Sequence, residues 1–120
     1  MKPYQDARVE GEKLAKQYAE LEQADQVDFY NGLEGYYSVL GHNKKQEAIA
    51  VLIEKNDHKI YVYQLDKGIS QDKAATISRE KGASDIDKVT FGRYQDKPIW
   101  EVKSGNQYYL VDFETGAVIR

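Results

Sequence analysis

The sequence predicts an α+β protein made of two consecutive units, each a single helix packed on a four-stranded antiparallel meander. Three observations lead there. Short runs rich in β-branched and aromatic residues recur along the 120-residue chain between turn-forming residues, the pattern of antiparallel strands joined by tight connections. Two Pro-free stretches of good helix formers each precede a set of such runs. The order of one helix followed by four strands then occurs twice, at an offset of about 60 residues, which is the mark of an internal repeat.

The first helix is expected from about Asp6 to Glu22, where Ala7, Gly11, Leu14, Tyr18 and Leu21 recur every three or four residues and form an apolar stripe read as core. Gly11 inside a helix costs roughly 1 kcal/mol relative to Ala, which points to a close approach of the helix to the sheet. Gln26 to Tyr30 reads as a strand, Asn31-Gly32 as a tight turn and Tyr36 to Leu40 as the next strand. Gly41 to Lys45 is expected to reverse the chain into a long strand, Glu47 to Glu54, and Lys55 to His58 to turn it into Lys59 to Leu65. Ile49, Val51 and Ile53 alternate with Ala48, Ala50 and Leu52, so this third strand needs cover on both faces.

In the second half, Lys67-Gly68 interrupts the pattern and Ser70 is a good N-cap for a helix over about Gln71 to Lys81, with Gly82 as its C′ residue. Ile86 to Phe91 reads as a strand, followed by Ile99 to Val102 behind Pro98, then Tyr108 to Phe113 and Ala117 to Ile119. Ser104-Gly105-Asn106 and Glu114-Thr115-Gly116 supply the last two turns, and Asp112 is placed to organise the second through its carboxylate. Across the two halves, Val27-Asp28-Phe29 matches Val89-Thr90-Phe91, Tyr36 to Val39 matches Ile99 to Val102, and Val51 to Glu54 matches Val111 to Glu114. The unit boundary is set at 1–66 and 67–120.

Composition excludes several function classes. With 17 basic and 20 acidic residues and a net charge of −3, the chain lacks the clustered positive charge that phosphate backbones require, so nucleic acid is not an expected partner. It has no cysteine, hence no disulfide, thiol nucleophile or thiolate metal site. No apolar run approaches the roughly 20 residues of a membrane span. His42 and His58 are both placed in turns without the spacing of metal ligands, and no metal or cofactor site is expected. The carboxylate pairs Asp85 and Asp87, and Asp112 and Glu114, offer no buried acid, because Glu114 begins a turn and should be wet. The serines lack a nucleophile-elbow context and no glycine-rich phosphate loop is present, so no catalytic residue is assigned. Ten of the fourteen aromatic residues are Tyr, which buries a ring while keeping a polar handle. Tyr36, Tyr61, Tyr63, Trp100 and Tyr109 are the candidates for protein recognition; the competing reading is that they cover the sheets or join the two units.

The residues also carry a resemblance. The segment Trp100-Glu101-Val102 followed by Asn106 to Arg120 resembles the end of the PepSY domain family, through its Trp, its YY-VDF run and its Thr-Gly turn. Phe29 to Gly41 followed by Glu47 to Asn56 resembles the N-terminal half of the YpmB or TseB-like proteins of Gram-positive bacteria, and the helix start at Gly68 to Ile77 fits the same pattern. The resemblance implies tandem cystatin-like units, the second of PepSY type, displayed outside the cytoplasm on an N-terminal membrane anchor for which these residues hold no candidate. It implies a non-enzymatic role in cell-wall elongation through contact with a penicillin-binding transpeptidase. The competing class is a PepSY-type protease-inhibiting module that blocks a cleft with a sheet edge or hairpin loop. A small enzyme would need a buried acid or His on a strand facing a helix, which the sequence does not supply.

Overall fold

The computed structural model describes residues 3–31, 35–57 and 59–119, which fall into two compact units, Met1–Leu65 and Asp66–Arg120. The expected turn at Gly32 and the second histidine, His58, lie outside the described residues. The first unit contains α1 (Pro3–Tyr18), β1 (Leu21–Asn31), β2 (Gly35–Asn43), β3 (Ala48–Glu54) and β4 (Ile60–Gln64). Its four strands form one antiparallel sheet in the order β1-β2-β3-β4.

The helix meets this sheet through small residues. Gly11, Ala15 and Ala19, four apart, are buried, and a Cβ on Gly11 would come within 3.2 Å of the Tyr37 Cβ. The close approach expected from a helical glycine is therefore present, but the expected stripe is wrong in two places. Tyr18 is 61% exposed, and Leu21 is not helical; it is buried from β1 instead. The helix stops because Glu20 takes a left-handed φ of 58°, after the Ala19 N–H has donated to the Ala15 carbonyl at 2.9 Å. That reversal lets Leu21 join the same core as Val27, Tyr37, Val39, Ile49, Val51 and Ile53. On the other face of the sheet Tyr30, Tyr36, Leu40, Ala50 and Leu52 are buried too, so β3 is covered on both sides as its alternation requires.

Two strands are longer than their composition suggests. β1 begins at Leu21 and carries register shifts between Leu21 and Gln23 and between Ala24 and Gln26, while β2 runs through Gly41 and His42 before turning. Gly41 is not a turn residue: opposite the irregularity, a Cβ there would lie 2.0 Å from the Gln23 carbonyl oxygen. The reversal falls one step later, where the Asn43 carboxamide oxygen accepts from the N–H groups of Lys45 and Glu47, each at 3.0 Å.

The second unit contains α2 (Gln71–Glu80), β5 (Lys88–Tyr94), β6 (Lys97–Ser104) and β7 (Gln107–Asp112). Both ends of α2 follow the sequence signals. Ser70 Oγ accepts from the Lys73 N–H at 3.0 Å, and at the far end Gly82, at φ 115°, donates to the Arg79 carbonyl while Ala83 donates to that of Ser78. This bond pair is the Schellman arrangement.

The sheet here has three strands, β5-β6-β7, where four were expected. Asp112 Oδ1 accepts from the N–H groups of Glu114 (2.8 Å) and Thr115 (3.0 Å), which drives a tight reversal directly after β7. Ala117 to Ile119 then return beside β7 with room for one bridge, Val111 to Val118, flanked by Asp112 N–H to Ala117 O and Ile119 N–H to Leu110 O. Phe91, Trp100 and Phe113 pack edge to face with centroids 4.9, 5.2 and 6.4 Å apart. The Trp100 indole N–H donates to the Ile69 carbonyl at 3.0 Å, and the Ile69 N–H donates to that of Phe113 at 2.8 Å, which pins the lead-in of α2 to the sheet.

Strand registers allow the expected matches between the two units to be compared. Phe29 pairs with Tyr37 and Val27 with Val39, as Phe91 pairs with Trp100 and Val89 with Val102, so the first two strands of each unit correspond residue by residue. The third does not: Tyr37 pairs with Ile53 and Trp100 with Val111, placing Val111 against Ile53 and not Val51. No helix among the described residues is long and apolar enough to cross a membrane.

Candidate partner-binding surface

The five aromatic candidates separate by burial. Trp100 (1% exposed) and Tyr36 (3%) are interior and offer no surface to a partner in this fold. Tyr61 and Tyr63 on β4 are half-buried, with the Tyr61 ring 6.3 Å from that of Tyr36. Tyr109 is half-buried on β7, opposite Val102. The structure thus brings Tyr36 and Tyr61 together and places Trp100 and Tyr109 on one face of the other sheet.

The aromatic that sequence reasoning missed is Phe29. It is 39% exposed and its position is fixed from three sides. Its ring stands edge-on to Tyr37 at 5.9 Å, the Lys55 ammonium lies 5.3 Å from its centroid, and the backbone of Gly35 runs so close beneath that a Cβ there would sit 2.9 Å from Phe29 Cζ. The Lys55 N–H donates to the Gly35 carbonyl at 2.9 Å, tying the turn after β3 to the start of β2. An exposed ring held this way gives up little rotamer freedom on binding, which is what a contact anchor requires. Its signal was the glycine: Gly35 beside Tyr36 leaves room for a neighbouring ring.

Among the described residues no three metal-capable side chains cluster. His42 belongs to β2, not to a turn, and its Nδ1 lies 2.8 Å from Asp25 Oδ2 with both side chains open to solvent. Asp112 is buried, but its carboxylate is committed to the turn, and Glu114 is exposed. Asp87 Oδ2 accepts from the Gly105 N–H at 2.8 Å and is likewise structural.

Burial pushes the Glu101 carboxyl above its ordinary range, with Lys88 pulling partly the other way. Folding then favours the protonated acid, so its contribution is full below the unfolded-state pKa and is lost as pH rises through the folded-state value. Glu101→Gln is therefore expected to be more stable than the parent at pH 7, with the difference closing below about pH 4. Thermal unfolding across that range checks this; a gap independent of pH would contradict it.

Three likenesses to known proteins bear on this surface. The model of the "Cell wall elongation regulator TseB-like domain" matches residues 10–54, a stretch that includes Gly11, Phe29 and Gly35. The "Probable cell wall elongation regulator TseB" of Bacillus subtilis (strain 168) is 38% identical over 114 residues, spanning 88% of this chain and 70% of that protein. The solved structure of the YpmB protein from Bacillus subtilis superposes with a TM-score of 0.76 at 33% identity, covering 100% of this chain and 96% of that one.

Proposed function

The chain belongs to the TseB-like family of cell wall elongation regulators, and on that premise we propose that it is a non-enzymatic regulatory module acting by contact with a penicillin-binding transpeptidase. In this reading it works outside the cytoplasm, held at the membrane by an N-terminal anchor, and its two helix-on-sheet units are tandem cystatin-like copies, the second of PepSY type. The observation that carries the proposal is the 38% identity over 88% of the chain to a protein named for regulating cell wall elongation. What supports contact as the mode of action is Phe29, an exposed ring braced by Tyr37, Lys55 and Gly35 within the unit that the family model matches most.

Calorimetric titration of this chain against a soluble transpeptidase ectodomain is expected to show saturable binding that Phe29→Ala weakens about tenfold or more, the effect of losing one central aromatic anchor. Because Phe29 is part-exposed, the variant is expected to stay folded. Absence of binding by the parent chain at high concentration would overturn the proposal, and undiminished binding by the variant would move the contact away from Phe29.

A further inference from the structure

Sheet edges need protection, because an unpaired row of N–H and C=O groups templates another strand. Three of the four edges here have it. β1 carries two register shifts and the charges of Glu22, Asp25 and Asp28. β5 carries Lys88 and Arg93, and β7 is bridged to Val118. β4, Ile60-Tyr61-Val62-Tyr63-Gln64, has no charge, no Pro and no shift in its pairing with β3, and no further strand pairs with it among the described residues.

The ladder shows which groups on this edge point outward. The Glu54 N–H donates to the Lys59 carbonyl at 2.8 Å, so alternation along the antiparallel pair gives Tyr61 and Tyr63 the inward bonds to Leu52 and Ala50. The backbone groups of Ile60, Val62 and Gln64 therefore face away from the sheet. Val62 is also 48% exposed, although its register neighbours Val51 and Val39 are fully buried.

We propose that β4 pairs with β4 of a second copy, antiparallel across a two-fold axis at Val62, joining the two four-stranded sheets into one of eight. This register matches all three outward residues at once: Val62 opposes itself, and Ile60 opposes the partner copy's Gln64. Tyr61 then faces the partner copy's Tyr63, so the central pair is apolar, the pairs beside it are aromatic, the outer ones join Ile to Gln, and no charges meet. Self-complementarity of this kind is why the occupant is a second copy. The inference does not depend on the proposed transpeptidase contact.

Sedimentation velocity of the intact chain over on the order of 10 µM to 1 mM is expected to show a reversible monomer–dimer equilibrium, weak because one strand pair buries less than a standard interface. Val62→Lys is expected to lower the association constant about tenfold or more, while Val9→Lys, on the exposed side of α1, leaves it unchanged. Residue-resolved amide exchange should show concentration-dependent slowing at Ile60, Val62 and Gln64, with Tyr61 and Tyr63 unaffected. A chain that stays monomeric throughout, a Val62→Lys variant that associates like the parent, or slowing confined to another element would each overturn the proposal. The first of these would leave the edge to an extended segment of another protein.

Discussion

Trp100→Ala is expected to destabilise the protein by roughly 3–5 kcal/mol, the range for emptying a fully buried large aromatic site. The ring is 1% exposed and packs edge-on against both Phe91 and Phe113, so truncation removes two aromatic contacts and leaves a cavity bounded by rigid rings. It also removes the indole N–H that donates to the Ile69 carbonyl, the atom through which the lead-in of α2 is fixed to β6. Trp100→Phe separates the two contributions, since it restores most of the ring while the hydrogen bond alone is worth about 1 kcal/mol. Denaturant unfolding of both variants checks the order, parent above Phe above Ala. A near-neutral alanine variant would contradict the assignment of Trp100 to the core.

Gly41→Ala is expected to cost roughly 2–3 kcal/mol, although it adds a single methyl group. The new Cβ would fall 2.0 Å from the Gln23 carbonyl oxygen, a backbone atom that cannot swing aside as a side chain would, and 2.9 Å from the Leu21 Cδ1. Relief requires β1 to lift from β2 at the register shift between Leu21 and Gln23, which disturbs the entry of Leu21 into the core. Equilibrium unfolding should show the loss, and amide exchange should show β1 and β2 opening faster around residues 21–26 and 39–43. Stability equal to that of the parent would mean that the strands do not approach this closely.

The alternation of β3, the capping of α2 and the Asp112 turn were all legible in the sequence because each depends on residues within a few positions of one another. The errors arose where a local signal had a distant cause. Leu21 continues the helical period of Leu14 and Tyr18, so nothing local reveals that Glu20 turns the chain and delivers Leu21 to the same core from a strand. Gly41 looks like a turn because its actual constraint, the Gln23 carbonyl, lies 18 residues earlier on another strand. The fourth strand of the second unit had suitable composition, but the Asp112 turn leaves it only one bridge. Of the candidate surface, residue type singled out five aromatics, could not rank them, and passed over Phe29. Trp100 and Tyr36 went inside and Phe29 outside because exposure depends on where a strand sits relative to its neighbours, which alternation alone does not encode.

Regulation through a fixed surface presented to a cell wall synthase is tested by amide exchange with and without a penicillin-binding transpeptidase ectodomain. Protection is expected to concentrate at residues 29–31, 35–37 and 54–57, where Phe29, Gly35 and Lys55 meet. Unchanged exchange at those residues in the presence of saturating ectodomain would contradict it.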